Sequence, residues 1–112
     1  MNCTIVTVDT ASYDPKLELP YNSGDTLYLA IAHDTLFGYA IIRDEWLEHL
    51  FVNPQYRKQG IGCKLLRYVI QEFKQLKLIV NANNVGAYRL FCRMRFIAYK
   101  HEHRSTYMLY ER

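Results

Sequence analysis

Apolar residues follow two different rhythms along this chain. In residues 3–52 they alternate over short stretches. From residue 61 they recur at the spacing of an amphipathic helix. Residues 3–8 are β-branched and predict a short strand. Residues 9–25 carry Pro15, Pro20 and Gly24 without clear periodicity and predict an irregular linker. Strands are expected over 27–32, 37–42 and 46–52, separated by the polar breaks His33-Asp34-Thr35 and Arg43-Asp44-Glu45. Such short connections favour an antiparallel meander. In the third strand, alternation puts Trp46, Glu48, Leu50 and Val52 on one face and Leu47, His49 and Phe51 on the other.

Ile61, Leu65, Leu66, Val69, Ile70 and Phe73 then form the apolar stripe of a helix, with Lys64, Arg67, Gln71 and Lys74 opposite. Leu78-Ile79-Val80 reads as a buried strand. Asn84 is placed to cap a second helix through Val85, Tyr88, Phe91 and Met94. Strands over 96–99 and 106–110, around a polar turn at 101–104, close the chain. The order predicts a mixed α/β (α+β) architecture, with a mostly antiparallel central sheet and flanking helices.

Composition narrows the picture. With 112 residues, half of them hydrophobic, one domain over 1–112 is expected, and dimerisation would add burial cheaply. No apolar run reaches the roughly 20 residues that span a bilayer, and the N-terminus does not resemble a secretory signal. Cys3, Cys63 and Cys92 are scattered, so neither a disulfide framework nor a zinc site is expected, and the cytoplasm is the simplest location. Charge is divided unevenly. Residues 1–52 hold two bases against eight acids, whereas 53–112 hold twelve bases against three. The basic half is either a solvated face or the seat of an anionic ligand, a phosphorylated cofactor or a nucleic acid.

The strand-to-helix junction supplies a place for one. After Pro54 a basic loop, Arg57-Lys58-Gln59, leads to Gly60-Ile61-Gly62 at the start of the helix. Unpaired amides at a helix N-terminus favour an anion, and glycine lets a phosphate come close to the backbone. The segment matches neither the dinucleotide fingerprint nor the nucleotide-hydrolase loop.

Two spaced motifs make the reading specific. Val52-x-Pro54-x-Tyr56-Arg57-x-x-Gly60-x-Gly62, followed by Leu65-Leu66, resembles motif A of the GNAT acetyltransferase superfamily. Asn84-x-x-Ala87-x-x-x-Phe91-x-x-x-Arg95-Phe96 is similar to its motif B. The resemblance covers about residues 26–110 and implies a GNAT-like fold with acetyl-CoA as cosubstrate. It further implies a gap where the motif A strand splays from the next parallel strand. The pantetheine arm would pair there with the backbone of Leu50, Phe51 and Val52. The diphosphate would rest on the amides of Arg57, Lys58, Gln59, Gly60, Ile61 and Gly62, with Asn84 and Phe91 facing the cofactor.

The reaction implied is direct attack of a primary amine on the thioester, in a ternary complex. Glu48 is the candidate base, ranked above His49. Phe91 stands where relatives often carry a tyrosine that protonates the departing sulfur, and Tyr88, one turn earlier, is either a core aromatic or, with a shifted geometry, the substitute acid. Arg95 replaces the family's glycine at the end of that helix, which predicts a strained or reshaped turn. The helices that relatives place between the first two strands have no counterpart in residues 9–25, leaving the acceptor side open to a protein or peptide amine or closed by another subunit. Metal binding is not expected, since His101 and His103 lack a third ligand. The alternative is a non-catalytic acyl-CoA-binding module that regulates a partner; a nucleic-acid binder lacks a reading motif.

Overall fold

The computed structural model describes residues 2–112. Seven strands form one sheet in the order β1-β2-β3-β4-β5-β7-β6. They are β1 (Thr4–Asp9), β2 (Thr26–Ala32), β3 (Thr35–Arg43), β4 (Trp46–Val52), β5 (Gln75–Asn81), β6 (Ile97–Glu102) and β7 (Ser105–Glu111). All neighbours run antiparallel except β4 and β5. That parallel step is bridged by α1 (Ile61–Ile70), and α2 (Val85–Arg93) links β5 to β6. The meander, the two helices and the mostly antiparallel sheet match the expected architecture.

The predicted elements recur with shifted ends. Helix α1 stops at Ile70, so Phe73 lies beyond it, although it still packs on the core. The closing turn is His103-Arg104 alone, since β6 runs through Glu102. Three hairpins, at His33-Asp34, Asp44-Glu45 and His103-Arg104, hold both central residues at positive φ without any glycine. This is the backbone that two-residue loops need to match strand twist.

Alternation divides the burial. Tyr28, Ala30, Ala40 and Ile42 join Ile61, Leu65, Leu66 and Val69 of α1, Leu76, Leu78 and Val80 of β5, and Phe91 of α2 in the main core. Leu27, Leu29 and Ile41 face the other way and are covered by Leu19 and Tyr21 of the linker. Residues 10–25 contain no helix, and the segment is tied at its ends instead. The Asp25 carbonyl accepts from the Thr10 amide at 3.0 Å and from its hydroxyl at 2.6 Å. The buried Asp25 carboxylate takes a two-bonded Arg43 guanidinium, with both contacts at 2.8 Å. Arg43 holds that carboxyl below its ordinary value.

Candidate active site

The site begins with a defect in β4. Ile42 pairs with Leu47 and Ile41 with His49, so Glu48 is an extra residue, a β-bulge. The bulge resets the alternation expected for this strand. Leu47 shares the main-core face with Leu50 and Val52, whereas Trp46, His49 and Phe51 lie on the other. Glu48 turns toward that second face and meets Arg43 Nη1 at 3.1 Å.

The same place is where β4 leaves β5. Their ladder contains only Trp46 with Lys77 and Leu47 with Leu78, and beyond the bulge the strands part. The Asn53 amide donates to the Phe37 carbonyl at 2.8 Å. By ladder alternation, Phe51 therefore spends its backbone bonds on β3, and Leu50 and Val52 turn theirs into the gap. Arg57 Nε donates to the Val52 carbonyl at 3.0 Å. The free backbone groups on that edge are thus those of Leu50 and the Val52 amide. Gly38 permits the tight crossing behind them, since a Cβ there would lie 2.5 Å from the Phe51 carbonyl oxygen.

The chain next makes a turn of 3-10 helix over Pro54–Tyr56, capped by Asn53, whose side chain accepts from the Gln55 amide. Lys58 at φ 63° and Gly60 at φ 83° then curl the backbone into the start of α1. No side chain caps that helix, so its first amides remain open. Gly60 needs its freedom for the left-handed turn, whereas a Cβ at Gly62 would make only ordinary contacts with Val52 and Leu90. The fold tolerates a side chain at 62, and the glycine leaves the space in front of the first turn of α1 clear.

That space is a cleft of about 690 Å³. Of the candidate site residues, Leu50, Phe51, Val52, Arg57, Lys58, Gly60, Ile61, Gly62, Asn84 and Phe91 line it. Gln59, Glu48 and Tyr88 do not. Tyr56, Cys63, Gly86, Ala87, Leu90 and Arg93 also line it and were not foreseen. Helical spacing from Asn84 would have found Ala87 and Leu90. Asn84 caps α2 by accepting from the Ala87 amide at 3.1 Å. Phe91 is buried and packs edge-on against Phe96, with ring centres 5.6 Å apart. Tyr88 is half exposed, and the neighbouring Cys92 raises its phenol above the ordinary value.

Arg95 occupies the turn that ends α2 with φ 74°. The Phe96 amide reaches back to the Phe91 carbonyl at 2.9 Å and the Arg95 amide to that of Cys92 at 3.0 Å, a complete Schellman motif with an arginine in glycine's place. The turn is therefore strained and keeps its regular shape. Among the described residues no cluster of three His, Cys, Asp or Glu side chains is arranged to hold a metal, and no helix is long and apolar enough to cross a membrane.

Comparison with known proteins agrees with this geometry. The profile of the acetyltransferase (GNAT) domain matches residues 7–109. The chain is 33% identical over 57 residues to the spermine/spermidine N(1)-acetyltransferase of Bacillus subtilis, spanning 46% of this chain and only 38% of that protein. Its fold is similar to a GNAT family acetyltransferase of Elizabethkingia anophelis with acetyl-CoA bound, with TM-score 0.78, 17% identity and 98% of each chain covered. It is also similar to the PaiA N-acetyltransferase of Thermoplasma acidophilum in complex with coenzyme A, with TM-score 0.70 and 21% identity. That likeness covers 77% of this chain and 60% of that one. Because the domain profile runs almost from end to end and the sheet agrees with it, the chain belongs to the GNAT acetyltransferase family.

Proposed function

We propose that the chain is an N-acetyltransferase that moves the acetyl group of acetyl-CoA onto a primary amine within a ternary complex. The observation that carries this reading is the continuity of one surface. Free strand amides at Leu50 and Val52 lead directly to the open amides of α1, in a cleft without a single carboxylate. A long, narrow polyanion with an amide-rich arm suits that surface: the arm adds to β4 as a strand, and the diphosphate rests on Ile61, Gly62 and Cys63. The acetyl-CoA and coenzyme A bound in the two similar structures support the same ligand.

In the reaction, the amine nitrogen attacks the thioester carbon. A C–N bond forms, the C–S bond breaks, and the nitrogen gives up a proton while the thiolate gains one. The Val52 amide, at the end of the free edge, is the donor for the developing oxyanion. The acceptor enters from the sheet face that carries Glu48 and His49, through the gap that the bulge opens. Glu48 is the proposed base, acting once the amine displaces Arg43 from its carboxylate. Glu48→Gln should lower kcat about 100-fold with acetyl-CoA affinity unchanged. Rate and pH profile equal to those of the parent would remove Glu48 from the mechanism. Tyr88 does not line the cleft and can serve as acid only after its hydroxyl turns into it. The departing sulfur therefore takes its proton chiefly from solvent, and Tyr88→Phe should retain most of its rate.

The acidic first half of the chain favours a cationic acceptor, and the partial likeness to a spermine/spermidine acetyltransferase makes a polyamine the first amine to assay. Calorimetry with acetyl-CoA tests the cradle. Gly62→Glu keeps the fold, places a carboxylate where the diphosphate would lie, and should abolish binding. Undiminished affinity would dismiss the cradle. The buried Phe91 and the missing helical wall favour a second reading, a regulatory module that binds acyl-CoA without turnover. Tight binding with no product across a broad amine panel would select it.

A further inference from the structure

We propose that Arg93, assisted by Lys58 across the cleft, binds the 3′-phosphate of coenzyme A and makes the chain discriminate against dephospho-CoA. The inference rests on the cofactor reading above and adds to it a residue at a position that motif B leaves open.

The cleft holds three cationic side chains, Arg57, Lys58 and Arg93. Arg57 is committed to the protein, bonded to the Val52 carbonyl and laid over the Phe51 ring at 5.9 Å. Lys58 and Arg93 are exposed and have no ion-pair partner among the described residues. Two uncommitted cations lining a carboxylate-free cleft make its potential positive and favour an anion there.

The register of α2 says which part of the ligand that anion belongs to. A Cβ at Gly62 would touch Leu90 Cδ2 at 3.7 Å, so Leu90 stands level with the amides that take the diphosphate. Asn84 and Ala87 lie earlier on α2, toward the gap beside β4. Arg93 lies three residues beyond Leu90, about 4.5 Å further along the axis. A coenzyme A molecule with its arm in the gap and its diphosphate at Leu90 must carry its ribose past that level, to Arg93. The 3′-phosphate there is a monoester bearing about −1.5 to −2 charges at neutral pH, a group that a guanidinium grips with two parallel bonds. Dephospho-CoA retains the diphosphate and the arm but offers Arg93 nothing.

The test is calorimetric titration of the parent chain, Arg93→Gln and Lys58→Gln with coenzyme A and with dephospho-CoA. The parent should bind coenzyme A at least about tenfold more tightly. Arg93→Gln should bring the two affinities together by weakening only coenzyme A, and Lys58→Gln should do so in part. Thermal melts of the unliganded variants verify that each is folded. Equal affinity of the parent for both ligands would overturn the proposal while leaving the cofactor reading intact, as would an Arg93→Gln variant that loses both ligands by the same factor. Failure of the parent to bind either ligand at millimolar concentration would bring down the cofactor reading, and this proposal with it.

Discussion

Arg95 shows what one residue can cost without changing a fold. Its φ of 74° lies in the left-handed region, yet both Schellman hydrogen bonds form and Phe96 packs on Phe91 as the motif requires. The backbone outcome is that of glycine, reached with a side chain that clashes there by roughly 1 kcal/mol. Arg95→Gly should therefore raise unfolding free energy by about that amount in urea melts, with the slope unchanged. A loss of stability would mean that the arginine side chain contributes packing or charge that outweighs the strain. Gly62 is the converse case: its neighbours would accept a Cβ, so the reason for glycine there is the cleft and the ligand proposed for it.

At the scale of elements, the bulge at Glu48 organises β4. It turns Leu47 and Leu50 to the same face, ends the pairing with β5 after Leu47, and leaves Leu50 and Val52 with free amides. Sequence alternation carries no mark of a bulge, because Trp46 to Val52 reads equally well as an uninterrupted strand; the faces of Trp46, Leu47 and Glu48 were misread for that reason. The gap itself was legible, but only through the motif resemblance. The helix start at 60–62 was legible from chemistry alone, since glycines and basic residues at the end of an apolar strand have few other uses. Hidden from the sequence were long-range partners. Nothing in the linker announces that Asp25 will be buried against Arg43, or that Arg43 will also hold Glu48.

That ion pair belongs to the same scale and makes a pH prediction. Arg43 depresses the Asp25 pKa in the folded chain, so the pair stabilises fully above the unfolded carboxyl value of about 3.9. Its contribution fades as pH falls through the lower folded value. Asp25→Asn should destabilise the chain at pH 7 by removing the charge on the two bonds to Arg43, which would keep only its exposed contact with Glu48. The deficit should shrink below pH 4, where the parent loses the same interaction. Melts at pH 7 and pH 3 compare the two, and a pH-independent deficit would point to packing instead.

Over the whole molecule, charge and architecture divide the work proposed for it. The basic second half supplies both helices and the loop proposed to hold the diphosphate, and the acidic first half supplies the meander and the face from which an amine would enter. With no helix between β1 and β2, the second face near β4 stays open, and Phe51 remains 40% exposed there. The proposed acceptor path is therefore short and wide, and acetylation should tolerate amines of varied length. Rates that collapse for all but one compact amine would argue that another subunit closes the face.

The proposed cofactor site is built from backbone amides more than from any side chain, so amide chemical shifts test it most directly. Titration of the isotopically labelled chain with acetyl-CoA should displace the amide signals of Leu50, Val52, Ile61, Gly62 and Cys63 together, at one saturation midpoint. Signals of β1, β6 and the linker should stay in place. Shifts confined to other surfaces, or none at millimolar ligand, would contradict it.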